Sequence, residues 1–210
     1  MATRYRHIEE LYRSYMQHRS AIRQRLAEFA AVPPAEHFYE LVYCLLTPQS
    51  SAKNAAAAVQ RLREAGNLEC EQTVAKILSC REHYIRFHNT KARHIVGLQK
   101  VFPKVQEQLS NGCTSAELRT WLVKNVKGIG WKEASHFLRN IGHRNLAILD
   151  RHILKHLKKH GVIRSVPEAM TAKRYLAIER RFQQFAEAVS IPLDELDLLF
   201  WSAATGQILK

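Results

Sequence analysis

Cysteine is thin in this chain: four in 210 residues, at Cys44, Cys70, Cys80 and Cys113. Their spacing supplies none of the close pairs that hold zinc or an iron–sulfur cluster, so neither is expected. Structural or free thiols in a reducing compartment are what remains. Long apolar runs are missing too. None approaches the ~18 residues of a membrane-spanning helix, and 46% hydrophobic residues read as a soluble globular protein. The opening residues, Met1 to Glu10, lack the apolar segment of a signal peptide. The chain is therefore expected in the cytoplasm beside the nucleoid, or in a nucleus if its source is eukaryotic. Acid is scarce: 19 Asp and Glu stand against 32 Lys and Arg, a net charge of +13. An excess of this size points to a polyanionic partner. Nucleic acid fits better than a membrane, because no strongly amphipathic cationic tail is present.

Glycine and proline number only eight and six. A helical period dominates between them, so the predicted fold is all-α. Arg4 to Ala31 reads as one or two helices with Ile8, Leu11, Tyr12, Tyr15, Ile22, Leu26 and Phe29 toward a core, broken by Pro33-Pro34. Further helices are predicted over 36–46, 51–65, 71–79, from Asn89 through Ile95, and over 103–110 and 115–125. The last of these buries Leu118, Trp121 and Leu122. After residue 150 the pattern gives helices over 151–160, 171–189 and 193–205, with Gly206 as the final stop.

The chemistry is densest between Val126 and Asp150. Gly128 and Gly130 allow backbone angles closed to other residues and let a partner approach the main chain closely. A hairpin of this kind leading into a helix aims free N–H groups at a phosphate. Trp131 to Gly142 is that helix, which places Lys132 in its first turn. The positive end of a helix disfavours an ammonium, so Lys132 is expected to reach its neutral, nucleophilic form more easily. Asp150 precedes the next helical pattern as a natural N-cap, held ionised by that helix. One group pushed toward amine and the other toward carboxylate mark an acid/base pair. Taken singly, these features also read as a common turn, a surface lysine and a plain cap.

Together, however, they resemble the helix-hairpin-helix, loop and aspartate of the base-excision DNA glycosylase superfamily. Gly128, Gly130, Lys132 and Asp150 match its positions one by one. The loop between them keeps Gly142 and Asn145 but has no proline. Leu46-Thr47-Pro48-Gln49-Ser50 resembles the superfamily's L-[ST]-x-Q-[ST] segment, and Arg86 through Ile95 resembles R-[FY]-x-N-x-K-A-x-x-I. The endonuclease III branch carries a four-cysteine cluster near its C-terminus, whereas no cysteine here follows Cys113. The hairpin helix, Leu149-Asp150-Arg151-His152-Ile153-Leu154 and the final Leu196 to Lys210 are similar to the type 2 8-oxoguanine DNA glycosylase/AP lyases of archaea and some bacteria.

This resemblance implies two packed helical subdomains with a DNA-binding cleft between them: 36–143, ending in the helix-hairpin-helix, and 1–35 with 144–210. It implies a monomer acting on double-stranded DNA that contains 8-oxoguanine. Lys132 would be the Schiff-base nucleophile, and Asp150 the carboxylate that opposes charge on the sugar. Gly128 and Gly130 would hold a phosphate, with Gln49 entering the duplex where a base is extruded. The basic pair Arg151 and His152 opposes its own helix dipole, which suggests a DNA contact. Trp201 and Phe87 would stack on the base, although Phe87 also reads as core. The Lys210 end, anchored by Ile208-Leu209, would offer its carboxylate to the N–H that distinguishes 8-oxoguanine from guanine. A monovalent cation often sits on hairpin carbonyls in this family, here those of Lys124, Val126 and Ile129. No cofactor and no catalytic metal are implied. Two alternatives stay open: a glycosylase of another base specificity, and a non-enzymatic helix-hairpin-helix module that only grips phosphate.

Overall fold

The structure, a computed structural model, describes residues 5–205, with side chains as far as Ala203. Lys210 lies outside the described residues. Among those described, every regular element is helical: ten α-helices and two short 3-10 turns. None of these helices is long and apolar enough to cross a membrane. The chain divides into two compact units, residues 32–137 and residues 1–31 with 138–210. The boundaries expected from the sequence lie at 36 and 143, a few residues further along.

The first unit holds α2 (His37–Leu46), α3 (Ala52–Ala65), α4 (Glu71–Leu78), α5 (His88–Ser110), α6 (Ser115–Asn125) and the start of α7 (Trp131–Asn140). Its core gathers Leu41, Val42, Leu45 and Leu46 of α2, Leu62 of α3, Val74 and Leu78 of α4, and Ile95 and Leu98 of α5. Buried Ala55 and Ala58 bring α3 close to its neighbours. Caps set the ends. Ser51 accepts the Asn54 N–H, and Thr114 with Glu117 forms a full capping box at α6. Two expectations fail here. Residues 88–110 form one continuous helix with Pro103 inside it, rather than a separate helix from 103. Burial of Leu98 and Val105 on either side holds the helix together across the missing N–H. Trp121 is only half-buried, unlike Leu118 and Leu122.

The second unit packs α1 (Ile8–Ala30) with α8 (Arg151–Lys159), α9 (Ala172–Ala188) and α10 (Leu193–Thr205). Leu11, Tyr15, Ile22, Leu26 and Phe29 form the buried face of α1. Tyr12, expected in the core, is 41% exposed, because its hydroxyl donates to the Val189 carbonyl at 2.8 Å and the ring lies at the rim. Gly142 ends the α7 segment at φ +94°, and a Cβ there would sit 2.9 Å from the Ala30 Cα. Only glycine fits that approach.

Candidate functional site

The hairpin is built as its glycines require. Helix α6 ends in extended backbone at Val126. Gly128 takes φ +86°, and the Ile129 N–H closes the turn onto the Val126 carbonyl at 3.3 Å. A Cβ on Gly128 would fall 2.3 Å from His94 Nδ1 on α5, so this position is closed both by backbone angle and by contact. The Gly130 carbonyl then accepts the Ala134 N–H at 2.9 Å and starts α7. The first N–H groups of any helix have no acceptor within it, and a helix start of this kind is the arrangement that binds an anion. At the other side of the turn, the last carbonyls of α6 stand at the negative end of their helix. Of the three residues whose carbonyls were expected to hold a monovalent cation, Lys124 lies in the last turn of α6, Val126 is its C-cap with its carbonyl accepting the Ile129 N–H, and Ile129 follows in the hairpin.

Lys132 occupies the first turn of α7, as expected, with its side chain 28% exposed. Its Nζ lies 3.1 Å from Glu133 Oε1, a partner the sequence reading did not weigh. Behind this pair is a second lysine. Lys91 of α5 is buried, and its ammonium donates to the carbonyls of Leu46 at 2.8 Å and Pro48 at 2.7 Å. Burial pushes its pKa down to about 8; the Lys132 charge adds to this and Glu133 opposes it. Lys91 thereby stitches the end of α2 to the neighbourhood of Lys132. The turn it holds carries Gln49, which is exposed and left-handed at φ 57°. A second left-handed residue stands nearby. Phe87 caps α5 at φ 59° and is 51% exposed, so it is not core. The Arg86 guanidinium lies 5.1 Å from the centre of its ring. The Arg86 N–H donates to Ser50 Oγ at 3.2 Å, which ties the Gln49 turn to the Phe87 cap. Non-glycine residues in this backbone region cluster at functional sites, where surrounding bonds over-determine them.

Asp150 is the N-cap of α8. Its Oδ1 accepts both the His152 N–H at 2.7 Å and the Ile153 N–H at 2.8 Å. Both cap bonds fall on one oxygen, so neither uses Oδ2. Arg151 and His152 lie side by side beyond it, with Arg151 Nε donating to His152 Nε2 at 3.1 Å. Trp201 is half-buried on α10, next to fully buried Phe200. Lys132 and Asp150 belong to different units. The structure thus groups Gly128, Gly130, Lys132, Gln49 and Phe87 in one, and Asp150, Arg151, His152 and Trp201 in the other.

Sequence reasoning missed a set of buried acids on α9 and α10. Glu179, Asp194 and Asp197 accept backbone N–H groups from the segment that leads to Asp150. The only signal was the run Leu193-Asp194-Glu195-Leu196-Asp197-Leu198-Leu199, which places acids within an otherwise apolar helix. Burial raises the pKa of Asp197 to about 7 against the pull of Arg139, whose Nη1 lies 3.5 Å from Asp197 Oδ2. Burial also raises that of Asp194.

A family model described as 8-oxoguanine DNA glycosylase matches residues 22–191. A relative from Fusobacterium nucleatum, named 8-oxoguanine DNA glycosylase/AP lyase, is 39% identical, covering 97% of this chain and 96% of its own. A relative of the same name from Korarchaeum cryptofilum is 40% identical over 91% of both. Among solved structures, the 8-oxoguanine DNA glycosylase of Thermotoga maritima superposes with a TM-score of 0.85 at 33% identity, covering 97% of this chain and 98% of that one. The Methanocaldococcus jannaschii glycosylase/lyase, in complex with a 15mer DNA containing 8-oxoguanine, gives a TM-score of 0.85 at 30% identity, covering 96% of this chain and 100% of that one.

Proposed function

Because the chain belongs to the 8-oxoguanine DNA glycosylase family, we propose that it excises 8-oxoguanine from double-stranded DNA and nicks the strand at that point, acting as a monomer. The observation that carries the mechanism is Lys132 in the first turn of α7, directly behind the Gly128–Gly130 hairpin. The hairpin N–H groups grip a backbone phosphate beside the lesion. A monovalent cation on the carbonyls of Lys124, Val126 and Ile129 would supply a fixed positive charge to the same phosphate. The damaged nucleotide leaves the stack. Gln49 fills the space with its donor and acceptor atoms, while Phe87 and Trp201 offer faces for stacking on the base. Arg151 and His152 contact the strand.

The amine of Lys132 attacks the anomeric carbon. The bond to the base breaks, and its electron pair leaves with the base. Asp150 opposes the positive charge that develops on the sugar and takes part in deprotonating Lys132. The sugar ring opens to a Schiff base on Lys132. Loss of a proton from the neighbouring sugar carbon then expels the 3′ phosphate, and the strand is cut. The Schiff base is finally hydrolysed to free Lys132.

Borohydride trapping tests this reading. Wild-type protein mixed with an 8-oxoguanine duplex should give a covalent adduct. Lys132→Gln should give none and release no base, while still binding the duplex. Trapping at wild-type yield by the variant would place the nucleophile on another residue. Parallel duplexes with guanine or other lesions test the base specificity.

A further inference from the structure

Between α7 and α8 the chain passes through Asn145 to Asp150 with neither helix nor strand. Leu146, Ala147, Ile148 and Leu149 are buried there, so their N–H groups need acceptors from elsewhere. Carboxylates accept two of these, and a third carboxylate accepts the N–H of exposed Asn145 just before them. Asn145 N–H donates to both oxygens of Asp194 at 3.2 Å, Ala147 N–H to Glu179 Oε1 at 2.9 Å, and Ile148 N–H to Asp197 Oδ1 at 3.0 Å. Tyr175 serves Leu149: its hydroxyl donates to the Ala147 carbonyl and accepts the Leu149 N–H at 3.3 Å. The three acids are 4%, 4% and 2% exposed.

Amides, hydroxyls or main-chain carbonyls would satisfy the same N–H groups without the heavy cost of burying charge. What carboxylates add is strength. A bond to an ionised acceptor is roughly twice as strong as a neutral one, and Asp197 supplies such an acceptor as pH rises above about 7. The segment they grip ends at Asp150. Its last link is tight, because the Asp150 N–H donates to the Ile148 carbonyl at 2.7 Å. Ile148 is thus held at its N–H by Asp197 and at its carbonyl by Asp150 itself. Asp150 Oδ1 is committed to the helix cap, so where Oδ2 points depends on the peptides before it.

We propose that Asp197, Glu179 and Asp194 are positioning residues, a clamp of buried carboxyl oxygens that sets the aim of the Asp150 carboxylate. The clamp rests on the assignment of Asp150 given above. It acts through the backbone and touches neither the base nor the sugar. Its effect belongs in the rate of base release and leaves duplex affinity alone.

The test is single-turnover base release with enzyme in excess over an 8-oxoguanine duplex, with the active fraction read from borohydride-trapped protein. Asp197→Leu and Glu179→Met remove the acceptors and should slow the rate constant by about 10²-fold, the scale of a misplaced catalytic group, without a weaker Kd. Asp197→Asn and Glu179→Gln keep the acceptor but lose the charge. They should fall between these variants and wild type in rate; Asp197→Asn should also lower Tm, because it removes the counter-charge 3.5 Å from the buried Arg139 guanidinium. In an Asp150→Asn background, Asp197→Asn should add no more than about a twofold loss, because the two changes share one pathway. Wild-type rates per active molecule in Asp197→Asn and Glu179→Gln would overturn the clamp. So would a full additional loss in the Asp150→Asn background. If Asp150→Asn alone keeps the wild-type rate, it is the assignment of Asp150 that fails. Should the Leu and Met variants not fold, the Asn and Gln variants decide alone.

Discussion

A single methyl group at Gly128 brings two separable penalties. The backbone there sits at φ +86°, and the added carbon would lie 2.3 Å from the His94 ring. Gly128→Ala is expected to lower stability by roughly 1–3 kcal/mol through backbone strain alone, with the contact adding to it. Adding His94→Ala should relieve the contact and leave the strain, so the double variant recovers only part of the loss. Urea denaturation of the two variants beside wild type and His94→Ala alone measures this; a Gly128→Ala protein as stable as wild type would mean that the turn relaxes freely. Residues whose place follows from backbone demand and chain order, such as Gly128 in its turn, Lys132 in a first helical turn and Asp150 at an N-cap, were legible in the sequence. Glu133, Lys91, Glu179 and Asp197 were not. Their roles come from burial and from partners distant in the chain, as when Lys91 reaches back to Leu46, and no local pattern marks that.

At the scale of elements, α8 holds what its basic sequence does not single out: His156 and His160 both turn inward. The His156 ring stacks on Phe200 at 4.7 Å between centroids and His160 at 5.3 Å. A helix C-terminus favours a protonated imidazole. Burial outweighs that here and, with nearby cationic groups, pushes His156 down to about 4; burial lowers His160 as well. The unfolded chain therefore takes up protons below about pH 6.5 that the folded helix refuses until about pH 4. Stability from this helix is present at neutral pH and is lost as pH falls through that window. His156→Phe keeps the stack and removes the proton, so its Tm should exceed wild type by an amount that widens on acidification. Parallel Tm curves for the two proteins would show that His156 plays no part. The other helices were easy to read, because apolar spacing and caps such as Ser51, Thr114, Asp150 and Thr171 are local. Pro103 misled for the same reason: the local rule says that a helix begins at proline, while tertiary burial carries α5 through it.

For the whole molecule, charge is the dominant fact. A net +13 directed at DNA predicts binding made largely of phosphate contacts and release of counterions. With about 6–10 such contacts, affinity should fall by ~10³–10⁵ between roughly 50 and 200 mM salt, measured by fluorescence anisotropy. A flat response would make the basic surface incidental to binding. This property was fully legible, since it needs only composition. The positions of the unit boundaries, after Ala31 and after Phe137, were less so. The second falls inside α7, where the helical pattern runs on without a break.

That division has a consequence for how the protein is made. Residues 1–31 leave the ribosome before residues 32–137, yet they belong to the unit completed by residues 138–210. The apolar face of α1 finds its main partner in α10, where Tyr15 and Arg23 bond to Glu195. Residues 32–137 can therefore condense during synthesis while the earliest helix waits with Leu11, Ile22 and Phe29 uncovered. A helix made before residues 32–137 thus finds its place after them, and its exposed stripe is what a chaperone would meet on the nascent chain.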